Sequence, residues 1–254
     1  MTEAAPSPRP RPTASIVLRS LAFTAWVYGL GAVMGIACLP LLLAPRQGLV
    51  AVAKLWARLV TVGLERIVGV TVEVRGLEHL PEGPCLIAAK HQGMFDFIPP
   101  FWFLGDPCFV LKRELMRIPV FGWLSAKMRM IVVNREGRAK ALRAMVHDAQ
   151  DAFAEGRQIL IFPEGTRKAP GDPPDYKPGV AGLYRELNIP CTPLATNSGV
   201  VWPAHGFLRY PGTAVFEVLP PIRAGLKRAT FMALLEDAVE EASARLLAAR
   251  PPAD

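Results

Sequence analysis

The sequence predicts an α/β fold: a mixed, largely parallel sheet flanked by helices, preceded by an N-terminal membrane-associated helical segment. Three observations carry this expectation. From Val70 onward, short apolar runs alternate with helix-periodic stretches, the pattern of a layered α/β domain. Ahead of them, Leu21 to Ala44 is a run of 24 residues without a charge, long enough to cross a bilayer. Finally, the apolar run Gln158-Ile159-Leu160-Ile161 stops at Pro163 and gives way to Glu164-Gly165-Thr166-Arg167. Proline cannot donate to a sheet ladder, so these four residues fall at the strand's C-terminal end, where open α/β sheets bind ligands.

Composition narrows the partners. The 254 residues carry 29 Lys+Arg against 22 Asp+Glu, a formal charge of +7, with a pI near 9.5. A basic balance suits an anionic partner. The 51% hydrophobic content and mean hydropathy of +0.26 favour a membrane surface. Nucleic acid is disfavoured, because there is no Lys/Arg run and no aromatic-interleaved RNA-binding pattern. Cys38, Cys85, Cys108 and Cys191 are far apart in apolar sequence without metal-ligand spacing, which reads as buried free thiols in a reducing compartment.

Along the chain, residues 1–13 are proline-rich and lack large apolar side chains, a disordered basic tail. Residues 14–68 are assigned to membrane-embedded and interfacial helices. The first spans Leu21 to Ala44, with Pro40 kinking or ending it. The second, about Leu49 to Val68, is punctuated by Lys54, Arg58, Glu65 and Arg66 and reads as an amphipathic helix in the headgroup region, the alternative being a helix packed on the protein core. Flanking charges do not decide between a single crossing and a re-entrant pair. Residues 69–250 form the α/β domain. Strands are expected at Val70–Val74, Pro84–Ala89, Cys108–Leu111, Met130–Val133, Gln158–Ile161, Pro190–Ala195 and Ala214–Leu219. Helices are expected over 137–154, where Gly156 supplies the stop, over Gly179–Leu187 and over 229–248. Lys168 to Pro178 is a proline-rich loop, and the last residues fray.

The chemistry-bearing residues follow two of these strands. Gly165 permits close backbone approach, Thr166 offers a hydroxyl, and the Arg167 fork matches phosphate. After the second strand, Lys90-His91-Gln92-Gly93-Met94-Phe95-Asp96 places a histidine five residues before a carboxylate. A carboxylate fixes one imidazole tautomer and leaves the other nitrogen as a base. Residues five apart do not share a helix face, so the pair meets only if His91 lies in a turn and Asp96 in the first helical turn. His79, His147 and His205 read as structural or exposed. No Gly-x-Ser-x-Gly elbow is present.

In order, His91-x4-Asp96, Lys112-Arg113-Glu114-Leu115 with Ile118-Pro119-Val120-Phe121-Gly122-Trp123, a strand ending in Asn134-Arg135, Phe162-Pro163-Glu164-Gly165-Thr166-Arg167 and Ile189-Pro190-Cys191-Thr192-Pro193-Leu194 resemble the glycerolipid acyltransferases, in particular the bacterial-type 1-acylglycerol-3-phosphate (lysophosphatidate) acyltransferases. The resemblance runs from about Val70 to Ile222. It implies an O-acyltransferase of phospholipid biosynthesis in which His91 and Asp96 are catalytic. By the same resemblance Arg135, Glu164, Gly165, Thr166 and Arg167 are expected to bind the acceptor phosphate, and Pro193 to lie on the acyl-donor side. It implies acyl-CoA or acyl-carrier protein as donor, a lysophospholipid acceptor, no metal or other cofactor, and the cytoplasmic face of the bacterial inner membrane.

Two departures stand out. The family's second motif reads Gly-x-x-Phe-Ile-Asp-Arg, whereas this chain has Arg129 for the glycine and Asn134 for the aspartate. Both make the segment more positive and leave room for another acceptor, such as a lyso-ornithine lipid or lysophosphoglycerolipid. Lys90 stands where the family commonly has asparagine. With no nucleophile in the motifs, direct attack by the acceptor is expected, and backbone N–H groups near Gly165 are candidate oxyanion donors. The rival readings are a non-catalytic phospholipid-binding adaptor, in which His91 is dispensable, and an esterase.

Overall fold

A computed structural model describes residues 12–134 and 138–249. Helix α1, Ala14–Ala37, starts at Thr13, whose hydroxyl accepts the Ile16 N–H at 3.3 Å. It thus begins ahead of the uncharged run expected to form it: the cap sets the start, and Arg19 is carried on its surface. It ends before Pro40, and Leu39–Leu43 continues as a 3-10 turn, as a proline without a donor N–H requires.

One narrow stripe of α1, including Phe23 and Val27, is buried, while Leu18, Leu21, Tyr28, Val33 and Ile36 stand in the open. An exposed apolar helix surface of this extent marks an interaction face for a membrane or another protein, and α1 is long and apolar enough to cross a membrane. Helix α2, Arg46–Gly63, is also long and apolar enough, with the turn that follows it, to cross a membrane. It runs into a π-helical turn, Leu64–Val68, that Gly69 closes at φ 85°.

Its apolar stripe (Ala57, Val60 and Leu64) joins the same hydrophobic cluster as one face of the sheet, while Arg58, Glu65 and Arg66 face outward. Trp26 of α1 donates its indole N–H to Leu59 O at 3.1 Å. Gly63 gives it room, since a Cβ there would lie 2.3 Å from the indole nitrogen. Arg46 anchors the start of α2 on Asp106, at 2.8 Å.

The sheet comprises β1 (Val70–Arg75), β2 (Cys85–Ala89), β3 (Pro107–Lys112), β4 (Ile131–Val133), β5 (Gln158–Ile161), β6 (Cys191–Thr196) and β7 (Gly212–Val218), in the order β1-β7-β6-β2-β5-β3-β4. Strands β6, β2, β5, β3 and β4 are mutually parallel. β7 is antiparallel to β6, and β1 is parallel to β7. This is the mixed, largely parallel sheet that the sequence predicts. The remaining helices are α3 (Pro100–Phe103), α4 (Phe121–Lys127), α5 (Arg138–Ala154), α6 (Gly179–Leu187) and α7 (Arg228–Ala248).

Strand alternation sorts the side chains between two faces. Cys85, Ile87 and Ala89 of β2 point toward α1 and α2, whereas Leu86 and Ala88 point toward α5, α6 and α7. All four cysteines are buried and free. Pro193 sits inside β6, opposite Ala88 of β2. Its carbonyl accepts the Leu219 N–H at 2.9 Å, so the nitrogen without a donor lies on the β7 side, just past the end of that strand.

Candidate active site

The parallel strands β2, β5 and β6 end at one edge of the sheet, and the turns beyond them meet there. After β2 the chain breaks into a short turn and then a 3-10 helix, Met94–Phe97, with Gly93 at its N-cap. Asp96 therefore folds back over the turn that precedes it. Its Oδ2 lies 2.9 Å from His91 Nδ1 and accepts the N–H groups of Gln92 at 2.5 Å and Gly93 at 2.8 Å. Ser198, just beyond β6, donates its hydroxyl to Asp96 Oδ1.

The carboxylate is 1% exposed and held on both oxygens. His91 thus carries its proton on Nδ1 and keeps the Nε2 lone pair free. The imidazole remains partly accessible and stacks on Phe162 at the end of β5, with ring centroids 4.1 Å apart. The five-residue spacing closes by the turn-then-helix route that the sequence required.

The loop after β5 is bound to this turn. Gly165, at φ 65°, closes a tight turn by donating to Phe162 O at 2.9 Å, and Lys168 N–H reaches His91 O at 2.8 Å. The Gly165 N–H is therefore committed to the turn. Thr166 and Arg167 are exposed on the strap between these two bonds, next to His91.

Glu164 turns inward. Its side chain is fully buried, with Oε1 3.2 Å from Lys90 Nζ. Burial pushes its carboxyl above the ordinary carboxylate value, and Lys90 opposes that shift. Arg135 lies outside the described residues. Asn134, at the C-terminal end of β4, lines a cleft of about 340 Å³ with Arg113, Glu114 and Arg117.

Arg129 is elsewhere. It precedes β4 and so lies at the opposite, N-terminal edge of the sheet, paired with Glu155. Its backbone is left-handed at φ 54°, a conformation that glycine adopts without strain. The departure from the family's glycine is thus a backbone matter remote from His91, and the extra charge goes to Glu155 rather than to an acceptor.

The chain is similar to known proteins over this region. A family model described as Acyltransferase matches residues 71–197. The 1-acyl-sn-glycerol-3-phosphate acyltransferase of Pseudomonas aeruginosa is 36% identical over 174 residues, 68% of this chain and 67% of that protein.

The chain belongs to the acyltransferase family.

The human 1-acyl-sn-glycerol-3-phosphate acyltransferase alpha is 28% identical over 171 residues, 65% of this chain and 59% of the human protein. The chain thus spans about three-fifths of that relative's length. The crystal structure of the 1-acyl-sn-glycerophosphate (LPA) acyltransferase PlsC from Thermotoga maritima superposes with a TM-score of 0.77 over 93% of this chain and 99% of that one, at 19% identity. The fold is the same.

Three further side chains support this arrangement. Ser198 holds the far oxygen of Asp96, Phe162 supports the imidazole, and Lys90 pairs with Glu164. Phe162 and Lys90 stand within the motifs read from the sequence, Lys90 as a departure from the family's asparagine, whereas Ser198 left no signal there.

Proposed function

We propose that this chain transfers a fatty acyl group from an acyl thioester to the free hydroxyl of 1-acylglycerol-3-phosphate, giving phosphatidic acid. The observation that carries the reading is the His91–Asp96 pair at 2.9 Å, set beside a strap that presents Arg167. The acceptor phosphate pairs with the Arg167 fork, with Arg135 as a second cation and Thr166 as a hydroxyl donor. Its hydroxyl then faces His91 Nε2. Nε2 takes the hydroxyl proton as the oxygen attacks the thioester carbon. The C–S bond of the tetrahedral intermediate breaks, and the departing thiolate receives the proton from the imidazolium. Asp96 keeps the ring oriented and stabilises its charged form.

Glu164 acts from within, shaping the strap through Lys90, and Pro193 lies beneath the site in β6. The chemistry needs a base and a grip on an anion, both supplied by side chains, with acyl-CoA or acyl-carrier protein as co-substrate and no further cofactor. The exposed face of α1 holds the enzyme to the membrane from which the lysolipid comes, at the cytoplasmic face where the thioester is made.

Asn134 supports a second reading. It lies at the site's edge of the sheet, where a lost negative charge widens the choice of anionic lysolipid. A panel of acceptors on isolated membranes tests both readings: lysophosphatidate, glycerol 3-phosphate, lyso-ornithine lipid and lysophosphoglycerolipids, each with acyl-CoA and acyl-carrier protein. Preferred acylation of lysophosphatidate is expected. Preference for another lysolipid moves the assignment to that acceptor, and acylation of none contradicts it.

A further inference from the structure

Lys90 is the next residue in the series Leu86, Ala88 that points toward α7, and it is 3% exposed. A buried ammonium is costly unless paired. Here its Nζ lies 3.2 Å from Glu164 Oε1 and 2.7 and 2.8 Å from the two carboxylate oxygens of Glu240 on α7. Tyr176, from the loop after β5, donates its hydroxyl to Glu240 Oε1 at 3.0 Å.

One ammonium thus joins three pieces of chain: the turn that carries His91, the strap that carries Arg167, and the terminal helix. The Glu164 carboxylate faces Lys90 Nζ and the backbone N–H of His91, and Lys90 supplies the charge that offsets its burial. Glu240 is about a quarter exposed and lies well beyond the segment that the family model matches.

We propose that Lys90 is a positioning residue, anchored by Glu240, that sets the distance between the base-bearing turn and the phosphate-bearing strap. Helix α7 thereby belongs to the acyl-transfer site. The inference rests on the acyltransferase reading for its kinetic consequence, but not for its structural one.

Glu240→Gln and Lys90→Met test it in the full-length, membrane-bound protein. Glu240→Gln is the variant that folds without difficulty, because its site is partly open to water. Two measurements are made on each variant: kcat and KM for lysophosphatidate acylation, and hydrogen exchange by mass spectrometry. The expected result is a kcat lowered tenfold or more with acceptor KM within twofold. It is accompanied by faster exchange confined to residues 90–96 and 162–168, with exchange in β1 and β7 unchanged. Unaltered exchange in those two segments overturns the proposal. So does faster exchange spread over the whole domain, which marks simple destabilisation. A kcat within twofold of wild type overturns it as well. If the wild-type chain acylates none of the acceptors, the functional reading fails separately, and the exchange measurement still decides whether Lys90 couples the two segments.

Discussion

Ser198 donates its hydroxyl to Asp96 Oδ1 from 102 positions away in the chain, so the carboxylate beside His91 is fixed from the turn beyond the neighbouring strand, β6. Both residues are buried, at 0% and 1% exposure. Without Ser198, Oδ1 loses its side-chain donor, and a buried carboxylate oxygen left short of a partner costs about 1–3 kcal/mol. Ser198→Ala is therefore expected to lower kcat by about tenfold, or ~1.4 kcal/mol in the barrier, with acceptor KM unchanged. Steady-state kinetics at saturating donor check this.

Gly93 is confined by Trp202. A Cβ at position 93 would lie 2.5 Å from the Trp202 carbonyl oxygen, and neither backbone can yield without moving the turn. Trp202 is itself wedged between Phe95, stacked at 5.4 Å, and Phe23 of α1, edge-on at 5.3 Å. Gly93→Ala is expected to reduce kcat at least tenfold while the circular dichroism spectrum stays native, because the strain falls on the N–H that holds Asp96.

The elements were legible because each strand is a short apolar run between breakers, and β5 is bounded by Gly156 and Pro163. The His91–Asp96 pair was legible because it stands in order with the later Phe162-Pro163-Glu164-Gly165-Thr166-Arg167 motif; its spacing alone says only that a turn must close it. Other features were not, because they depend on contacts that no local pattern encodes. The reversal of β7 and β1 against the other strands is one. Another is Lys90 meeting Glu240, 150 positions away. Arg129 was misread for the same reason: its distance from His91 follows from which end of β4 it occupies, and that requires the sheet. The early start of α1 hinges on Thr13, a single capping residue.

Arg129 yields a stability prediction without an activity change. A non-glycine residue in left-handed backbone costs about 1–2 kcal/mol, and the exposed pair with Glu155 returns at most ~1 kcal/mol. Arg129→Gly is expected to be more stable than Arg129→Ala by about 1 kcal/mol, with both keeping wild-type kcat. Denaturant midpoints and an activity assay on the two variants check this.

Glu164 sets a pH dependence. Burial raises its folded-state carboxyl above the ordinary 4.5, against the counteracting Lys90. A group with a raised folded value contributes stability that is full below its unfolded value and is lost as pH rises through the folded one. Wild type should therefore lose stability relative to Glu164→Gln as pH is raised above 4.5. Thermal melts of the pair across acidic to neutral pH check the sign of the difference.

The central claim is that His91, oriented by Asp96, takes the acceptor's proton. His91→Ala, assayed on membranes with lysophosphatidate and acyl-CoA, tests it most directly. General base catalysis is worth about 10²–10⁴-fold. A fall in kcat of that size is expected, with membrane association and melting temperature unchanged. Acylation within a few fold of wild type would contradict it.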